Sequence, residues 1–456
     1  MRPKARTLAC LTAAAALNSA FATNGYFTHG IGPQSKAMAG TGVASPGFSG
    51  PAIVATNPAL GAFLNEGLEV GLGAFSPRRS YRASASAAQG QGGAFTLGEG
   101  EVDSSRNLFA IPFVAQNWTL ESGRRLTLMA YGRGGMNTTW DAGSASARFD
   151  PDGPGPAGVG TFPGPFGGGK AGVDLSQLFV TLNYAGRQSE RFAWGVAPLF
   201  ALQTFEATGL GAFAPYTATF AASGGTVAPS GLTNNDHDFS YGFGFSAGAW
   251  WAVTDNLSAG LAYQSRMEMS EFDSYSDLFA QQGGFDIPSS IKAGLSYRAN
   301  DWWRVNFDIE HTAYSEIDSV GNPMALILSC PTAGMGGASL ESCLGGSNGA
   351  GFGWRDMTTY KVGAAWNVTD QLVWRFGYSV GEQPIRAPDA LFNILAPGVM
   401  EQHFTTGFTA RRGEREYSLA FMFAPKKTIT GNNLFDPTQT LDLSMRQFEL
   451  EFSMRF

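Results

Sequence analysis

Side chains that could do chemistry are few and scattered in this sequence. Gly164-Pro-Phe-Gly-Gly-Gly169-Lys170 comes close to a phosphate-cradling loop. However, Ala171 stands where a Mg²⁺-binding Ser or Thr is needed, and no strand–helix unit surrounds it. The four histidines, His29, His237, His311 and His403, have no metal-ligand spacing to one another or to cysteine. Asp236-His237-Asp238 pairs an imidazole with carboxylates, but acid–base catalysis also needs a positioned nucleophile or water. No enzyme, cofactor or metal is expected. Lys361 and Arg375 can serve in another way. A cation beside an apolar pocket can hold the carboxylate of an amphiphile. The alternative is an ordinary polar lining, paired with acids such as Glu310. Cys330 and Cys343 lie in a Gly/Ser-rich stretch, Ser329 to Gly353. In an exported chain, two nearby cysteines point to one local disulfide, with two free thiols as the alternative.

Composition limits where these residues can sit. The chain has 456 residues, 44% hydrophobic, 13% aromatic and 15% charged, with 60 Gly and 35 Phe. The charged share is well below the roughly 25% of an ordinary soluble domain, yet the chain is too apolar for disorder. Past residue 22 no run of roughly 18 apolar residues occurs, which excludes a helical membrane protein. The formal net charge is −7, and no basic cluster marks a nucleic-acid partner. Residues 1–22 read as a secretory signal: Arg2, Lys4 and Arg6, then Leu8 to Leu17, then Ala20-Phe21-Ala22. Cys10 mostly precedes the apolar region, which argues against a lipoprotein signal. Removing three basic residues leaves a formal charge of about −10.

From residue 66 onward the pattern has period two. Phe448, Leu450, Phe452, Met454 and Phe456 alternate with Gln447, Glu449, Glu451, Ser453 and Arg455. Trp303, Val305, Phe307 and Ile309 alternate with Arg304, Asn306, Asp308 and Glu310. Phe239, Tyr241, Phe243 and Phe245 alternate with Ser240, Gly242, Gly244 and Ser246. In a strand each set takes one face. Aromatic-out and polar-in is the arrangement of a transmembrane barrel; the alternative is a water-soluble β-sandwich. Strands are expected near 66–76, 106–118, 124–137, 172–186, 190–206, 238–253, 255–268, 286–299, 301–313, 354–368, 370–381, 400–412, 413–425 and 441–456. That is about fourteen, an even number as bacterial barrels require. Every second connection is tiny, around Glu121, Gln188, Thr254, Asn300, Thr369 and Gly413, and the others run from about 15 to 40 residues. Residues 23–65 lack a membrane face, and a lumen this wide has room for them as a plug. The predicted fold is an all-β, 14-stranded antiparallel transmembrane β-barrel over 66–456, with an N-terminal hatch (23–65) inside the lumen.

The segment Asn24-Gly-Tyr-Phe-Thr-His-Gly-Ile-Gly-Pro-Gln-Ser-Lys-Ala-Met-Ala-Gly-Thr-Gly-Val-Ala, followed by Asn57-Pro58-Ala59, resembles the FadL/TodX family of outer-membrane transporters. Ile287 to Tyr297 and Tyr360 to Tyr378 carry the resemblance further, so it covers most of the chain. Family sequences often have Gly where Ala37 and Ala39 stand, which reads as a mild change. The resemblance implies passive uptake of long-chain fatty acids or hydrocarbons across the bacterial outer membrane. Outer loops capture the ligand, an internal pocket receives it, the hatch shifts, and the ligand leaves sideways beside a kinked third strand.

Carried onto this sequence, Gly25, Tyr26, Phe27, Asn57, Pro58 and Ala59 belong to the hatch. For Asn57 to Ala59 a plain structural corner is an equal reading. Gly134 and Gly135 fall where the strand-three kink would be, since paired Gly permits a bulge. Phe213, Tyr216 and Phe220 in one loop, and Tyr275, Leu278 and Phe279 in the next, are candidates for an exposed capture groove. Their spacing suits one side of a short helix, and mutual packing is the alternative. Expected partners are a hydrophobic small molecule, outer-membrane lipid, and the barrel-assembly machinery through Phe456. A monomer is expected. The competing functions are an adhesin or receptor acting through its loops, and a general porin, which residues 23–65 would obstruct.

Overall fold

The computed structural model describes residues 24–148 and 158–456. The expected signal segment 1–22 lies outside the described residues. Fourteen strands close into one antiparallel barrel. They are β1 (Gly67–Ala83), β2 (Phe109–Thr119), β3 (Arg125–Trp140), β4 (Ala171–Ser189), β5 (Phe192–Thr208), β6 (Asp238–Ala252), β7 (Leu257–Gln264), β8 (Ser290–Arg298), β9 (Trp303–Thr312), β10 (Met357–Thr369), β11 (Leu372–Gly381), β12 (Gln402–Arg412), β13 (Arg415–Asn433) and β14 (Asp436–Arg455). Each pairs with its sequence neighbours, and β14 closes on β1 from Glu69↔Arg455 to Ala83↔Leu441. Closure matters because lipid offers no hydrogen-bond partner to a free strand edge.

The alternation decides which face meets lipid. On β6, Phe239, Tyr241, Phe243 and Phe245 are all exposed. On β14, Phe448, Leu450 and Phe452 are exposed while Gln447, Glu449 and Glu451 are buried. Apolar side chains thus face outward and acids face the lumen, the reverse of a soluble sandwich. Residues 120–124, 190–191, 253–256, 299–302, 370–371 and 413–414 make short turns at one end of the barrel. Trp303 and Trp366 stack there at 5.6 Å, and Tyr184 meets Trp194 at 5.7 Å, as in an interfacial aromatic belt. The long connections lie at the other end, the extracellular one by the asymmetry of such barrels.

One connection departs from expectation. β13 runs on to Asn433 and β14 begins at Asp436, so residues 434–435 alone join them, not a loop of about 15 residues. The extra length rises above the apolar band, where all residues but Ile429 and Pro437 are polar or glycine and alternation gives no signal. Register shifts between Ala424 and Lys427 and between Asn432 and Asn433 mark this extension. A further loop segment, Ser144–Ala147, pairs with Thr96–Leu97 on one edge and Gly160–Pro163 on the other in a small separate sheet at the loop end.

The N-terminal hatch fills the lumen as short helical turns, Pro33–Lys36, Pro51–Ala55 and Pro58–Phe63. Each begins with proline, whose fixed φ suits the first helical position and whose missing N–H costs nothing there. Lumen-facing polar side chains hold it all round. Asp308 of β9 accepts from the Gly42 and Val43 amides at 2.6 and 3.0 Å. Trp250 of β6 and Ser258 of β7 both donate to the Ala44 carbonyl, at 2.9 and 2.7 Å. Thr405 of β12 accepts from the Ala39 amide at 2.8 Å. Close approach also needs the wall bare in places: a Cβ on Gly363 of β10 would lie 2.8 Å from the Met38 carbonyl oxygen.

Ala39 corrects one sequence expectation. Its φ is +57°, in the left-handed region, so alanine there is not a mild exchange for glycine. The left-handed conformation costs an L-residue about 1–2 kcal/mol. Ala39→Gly is therefore expected to stabilise the docked hatch by about 1 kcal/mol. Slower amide exchange over residues 36–44 would show it; unchanged or faster exchange would contradict the strain.

Candidate functional site

The hatch N-terminus is the most distinctive place in the lumen. Asn24 to Phe27 form a tight turn in which the Asn24 amide donates to the Phe27 carbonyl at 3.0 Å. Gly25 has φ +70°, and a Cβ there would lie 2.5 Å from the Tyr314 hydroxyl. Glycine is thus required on both conformational and steric grounds. The turn buries Tyr26 completely. Its ring lies 4.6 Å from Phe27, 5.2 Å from Tyr314, 5.8 Å from Trp354 and 6.2 Å from Phe285. Arg133 lays its guanidinium over Phe27 at 4.8 Å and Phe179 at 5.5 Å, a cation–π clamp.

This nest sits against a break in the wall. β2 and β3 pair from Thr119↔Arg125 only as far as Phe113↔Tyr131. Beyond Tyr131, β3 continues to Trp140 without β2, while its other edge stays paired to β4. The β3–β4 register slips between Gly132 and Gly134, so Arg133 bulges. Gly134 and Gly135 thus lie beside a real irregularity in strand three. The hatch caps the edge that β2 leaves. Phe27 bridges Gly134, the Thr28 amide donates to the Arg133 carbonyl at 3.0 Å, and the Gly135 amide donates to the Tyr26 carbonyl at 3.0 Å. Across the break, Arg79 of β1 donates to the Asn137 carbonyl at 2.8 Å. Higher up, the Ser105 amide donates to the Thr139 carbonyl at 2.9 Å and closes the upper end.

At the other corner of the hatch, Asn57 is fully buried. Its side-chain amide donates to the Val43 carbonyl at 2.7 Å and the Ala249 carbonyl at 3.2 Å, and its Oδ1 accepts from the Ala59 amide at 2.9 Å. It caps the turn that Pro58 opens. The Pro58 carbonyl in turn accepts from Asn183 of β4 at 3.2 Å. These bonds fix a corner of the hatch to the wall.

The two candidate carboxylate contacts are already engaged. Lys361 lies 2.6 Å from Glu310 and donates to the His29 carbonyl at 3.0 Å. Glu310 also pairs with Lys292 at 3.2 Å. Lys361 is therefore a hatch anchor, matching the polar-lining alternative. Arg375 donates to Thr409 at 2.7 Å and lies 6.0 Å from the Phe48 ring, near the end with short turns. It lines a cavity of about 580 Å³ with Arg304, Trp303 and Phe48, far from the aromatic nest. By contrast, a pocket beside Arg133, lined also by Thr56, Tyr131, Gln264 and Lys292, holds about 20 Å³. That is room for about one water.

The loop aromatics are not an exposed groove. Phe213, Tyr275 and Phe279 are buried, and Tyr216, Phe220 and Leu278 are half-buried. Phe213 meets Phe166 and Phe392 at 5.3 and 5.1 Å, and Tyr216 meets Phe435 at 5.2 Å. Tyr275 and Phe279 pack on Phe205 of β5 at 4.8 and 4.6 Å. Long loops need a core of their own, and these rings supply it. The short helix expected from their spacing is realised around Phe220, in Ala218–Ala222, but Tyr275 lies in a separate 3₁₀ turn. Cys330 and Cys343 are bonded and tie one loop. His237 stands 3.5 Å from both Asp174 and Glu206.

Sequence reasoning missed Lys36. It is buried and paired with both Glu449 and Glu451 of β14. The signal was available: one cation in a stretch of small residues, and two acids at lumen parity on the clearest strand. His29, also buried, stacks on His403 at 5.7 Å and lies 3.7 Å from Glu449. Burial, then the nearby His403, Lys36 and Lys361, hold its imidazole well below the ordinary range, so it stays neutral.

Comparison with known proteins settles the class. The profile of the outer membrane protein transport protein family (OMPP1/FadL/TodX) matches residues 161–424, more than half of the chain. The chain belongs to this family. Its barrel is similar to that of the Pseudomonas putida toluene transporter TodX, at 16% identity and TM-score 0.60, covering 94% of this chain and 98% of that one. The Ralstonia pickettii toluene transporter TbuX gives 15% identity and TM-score 0.56, covering 94% and 99%. A Pseudomonas aeruginosa FadL homologue gives 13% and 0.58, covering 94% and 98%. No curated protein gives a significant sequence match. This FadL/TodX-family protein is thus an outer-membrane transport protein, not an enzyme.

Proposed function

We propose that this family member takes up long-chain fatty acids or hydrocarbons passively and releases them sideways through the break between β2 and β3. The observation that carries the reading is the capped edge: Phe27 and Thr28 occupy the place on β3 that β2 leaves vacant. A hydrophobic ligand gains nothing from a watery passage, and a slot in the wall delivers it directly to lipid. In this reading, the nest around Tyr26 is the gate. Ligand entering from the loops competes for the aromatic surfaces that Tyr26 and Phe27 now cover. Withdrawal of residues 24–28 then frees the edge. The loop rings of Phe213, Tyr216, Phe220, Tyr275, Leu278 and Phe279 must part to admit ligand, so capture involves rearrangement of a packed cluster. We assign residues 1–22 to export, residues 23–65 to the hatch, and Phe456 to recognition by the assembly machinery of a monomeric barrel.

The small size of the pocket beside Arg133, about 20 Å³, argues against an open porin, since a water-filled path would need a wider lumen there. The test is mass spectrometry of lipophilic molecules extracted from protein purified in mild detergent. A fatty acid or hydrocarbon is expected, absent after deletion of residues 24–28. Empty protein that conducts ions in planar bilayers would overturn the proposal.

A further inference from the structure

The outer wall carries a row of cations that the protein itself balances only in part. On β1, Val70 and Leu72 are exposed to lipid, and two steps beyond Ser76 the next outward side chain is Arg78. On β14, Phe452, Leu450 and Phe448 face lipid, and the next outward residue is Arg446. Arg78 and Arg446 are direct cross-strand partners, and both are exposed. Like charges directly opposite on one face destabilise a sheet. Among the described residues neither arginine has an ion pair. The bulge of β13 between Ala424 and Lys427 turns Lys426 outward at the same level. All three cations line one open hollow of about 500 Å³, whose far side carries Glu101 and Asp103, at the end where the long loops lie.

The acids nearby stand one tier farther from the membrane. Glu101 is opposite Arg82, and Asp103 is opposite Ser80. Lys426 reaches Glu101 at 3.7 Å, but both side chains are about half exposed, and such pairs contribute little. The tier that touches the apolar band is therefore purely cationic. Arg79, between these levels, turns inward to Asn137 and is not part of it.

We propose that Arg78, Lys426 and Arg446 bind the phosphate headgroup of an outer-leaflet glycolipid, whose acyl chains lie on Leu72, Phe448 and Leu450 below. Guanidinium groups match phosphate oxygens in pairs, and one phosphate would relieve the Arg78–Arg446 opposition. The apolar wall directly beneath selects a phosphate that carries acyl chains over one free in solution.

The test uses the full chain in detergent, by native mass spectrometry, with bisphosphorylated lipid A and the same lipid A stripped of both phosphates. The wild type is expected to prefer the phosphorylated lipid by about tenfold or more, given the typical gain per cation at an anionic surface. The R78Q/K426Q/R446Q variant is expected to lose that preference, while R78K/R446K keeps most of it. A heat-modifiable gel shift confirms that each variant is folded. If the triple variant fails to fold, R446Q alone is expected to lower the preference by about fivefold. Equal binding of both lipids, a preference that survives in the triple variant, or displacement of the lipid by millimolar inorganic phosphate would overturn the proposal.

Discussion

Lys36→Met is expected to release the hatch from the barrel wall. Lys36 is the cation between Glu449 and Glu451, and all three side chains are almost fully buried. Removing it leaves two carboxylates together in the lumen, with only the neutral imidazole of His29 near Glu449. Breaking a buried pair by deleting one partner costs about 3–5 kcal/mol, because the remaining charge stays desolvated. The barrel strands do not depend on this contact, so the fold should survive while the hatch loosens. Hydrogen exchange over residues 29–45 should rise sharply, and single-channel recording should show ion conductance that the wild type lacks. The triple change K36M/E449Q/E451Q discriminates charge from packing. With no charge left to strand, it should recover much of the lost protection. If Lys36→Met exchanges as slowly as the wild type, the ion cluster does not hold the hatch.

A disulfide between positions 27 and 134 is expected to stop transport. Phe27 and Gly134 bridge as an antiparallel pair, a geometry with Cα atoms about 4.5–5.5 Å apart. That lies within the range a disulfide spans. A Cβ at position 134 meets the end of the Gln177 side chain, which is flexible and can turn aside. Oxidised F27C/G134C protein should carry a labelled hydrocarbon or fatty acid into cells at least about tenfold more slowly than the wild type, because the gate is confined to its capped state. Reductant should restore uptake in the variant. Wild type treated with the same reductant controls for loss of the Cys330–Cys343 bond. Full transport by the oxidised variant would mean that ligand leaves by another path.

The barrel was legible because lipid imposes a simple rule on every strand. Phe448 to Phe456 could alternate with Glu449 and Glu451 only if one face met hydrocarbon and the other a polar interior, and most strand ends fell within about four residues of where that rule stopped applying. The rule fails above the bilayer. Thr428 to Asn433 and Asp436 to Thr440 continue as strands with polar side chains on both faces, so their pairing left no periodic trace. The site was legible in part. The Asn24–Phe27 signature and the Gly134-Gly135 pair were visible as residues, but their meeting was not, since it joins segments more than a hundred positions apart. Lys361 had the right parity, yet sequence could not say that Glu310 and the His29 carbonyl already claim its ammonium. The loop aromatics were misread as exposed because a run such as Tyr275 to Phe279 is equally suited to a ligand surface and to a small internal core. Only the ring distances decide between them. Ala39 shows a different limit: its cost lies in a backbone angle, and residue type alone reveals that only where glycine is present.

The separation between Lys36 and its partners also governs the order of assembly. Lys36 and Glu449 stand 413 positions apart, and Glu449 lies on the strand that completes the ring against β1. The N-terminal hatch therefore finds the counter-charges of Lys36 only when β14 is in place. Sealing of the cylinder and seating of its stopper become one event. A chain truncated before β14 would lose the seam and the grip on Lys36 together, and could present neither a closed pore nor an open one.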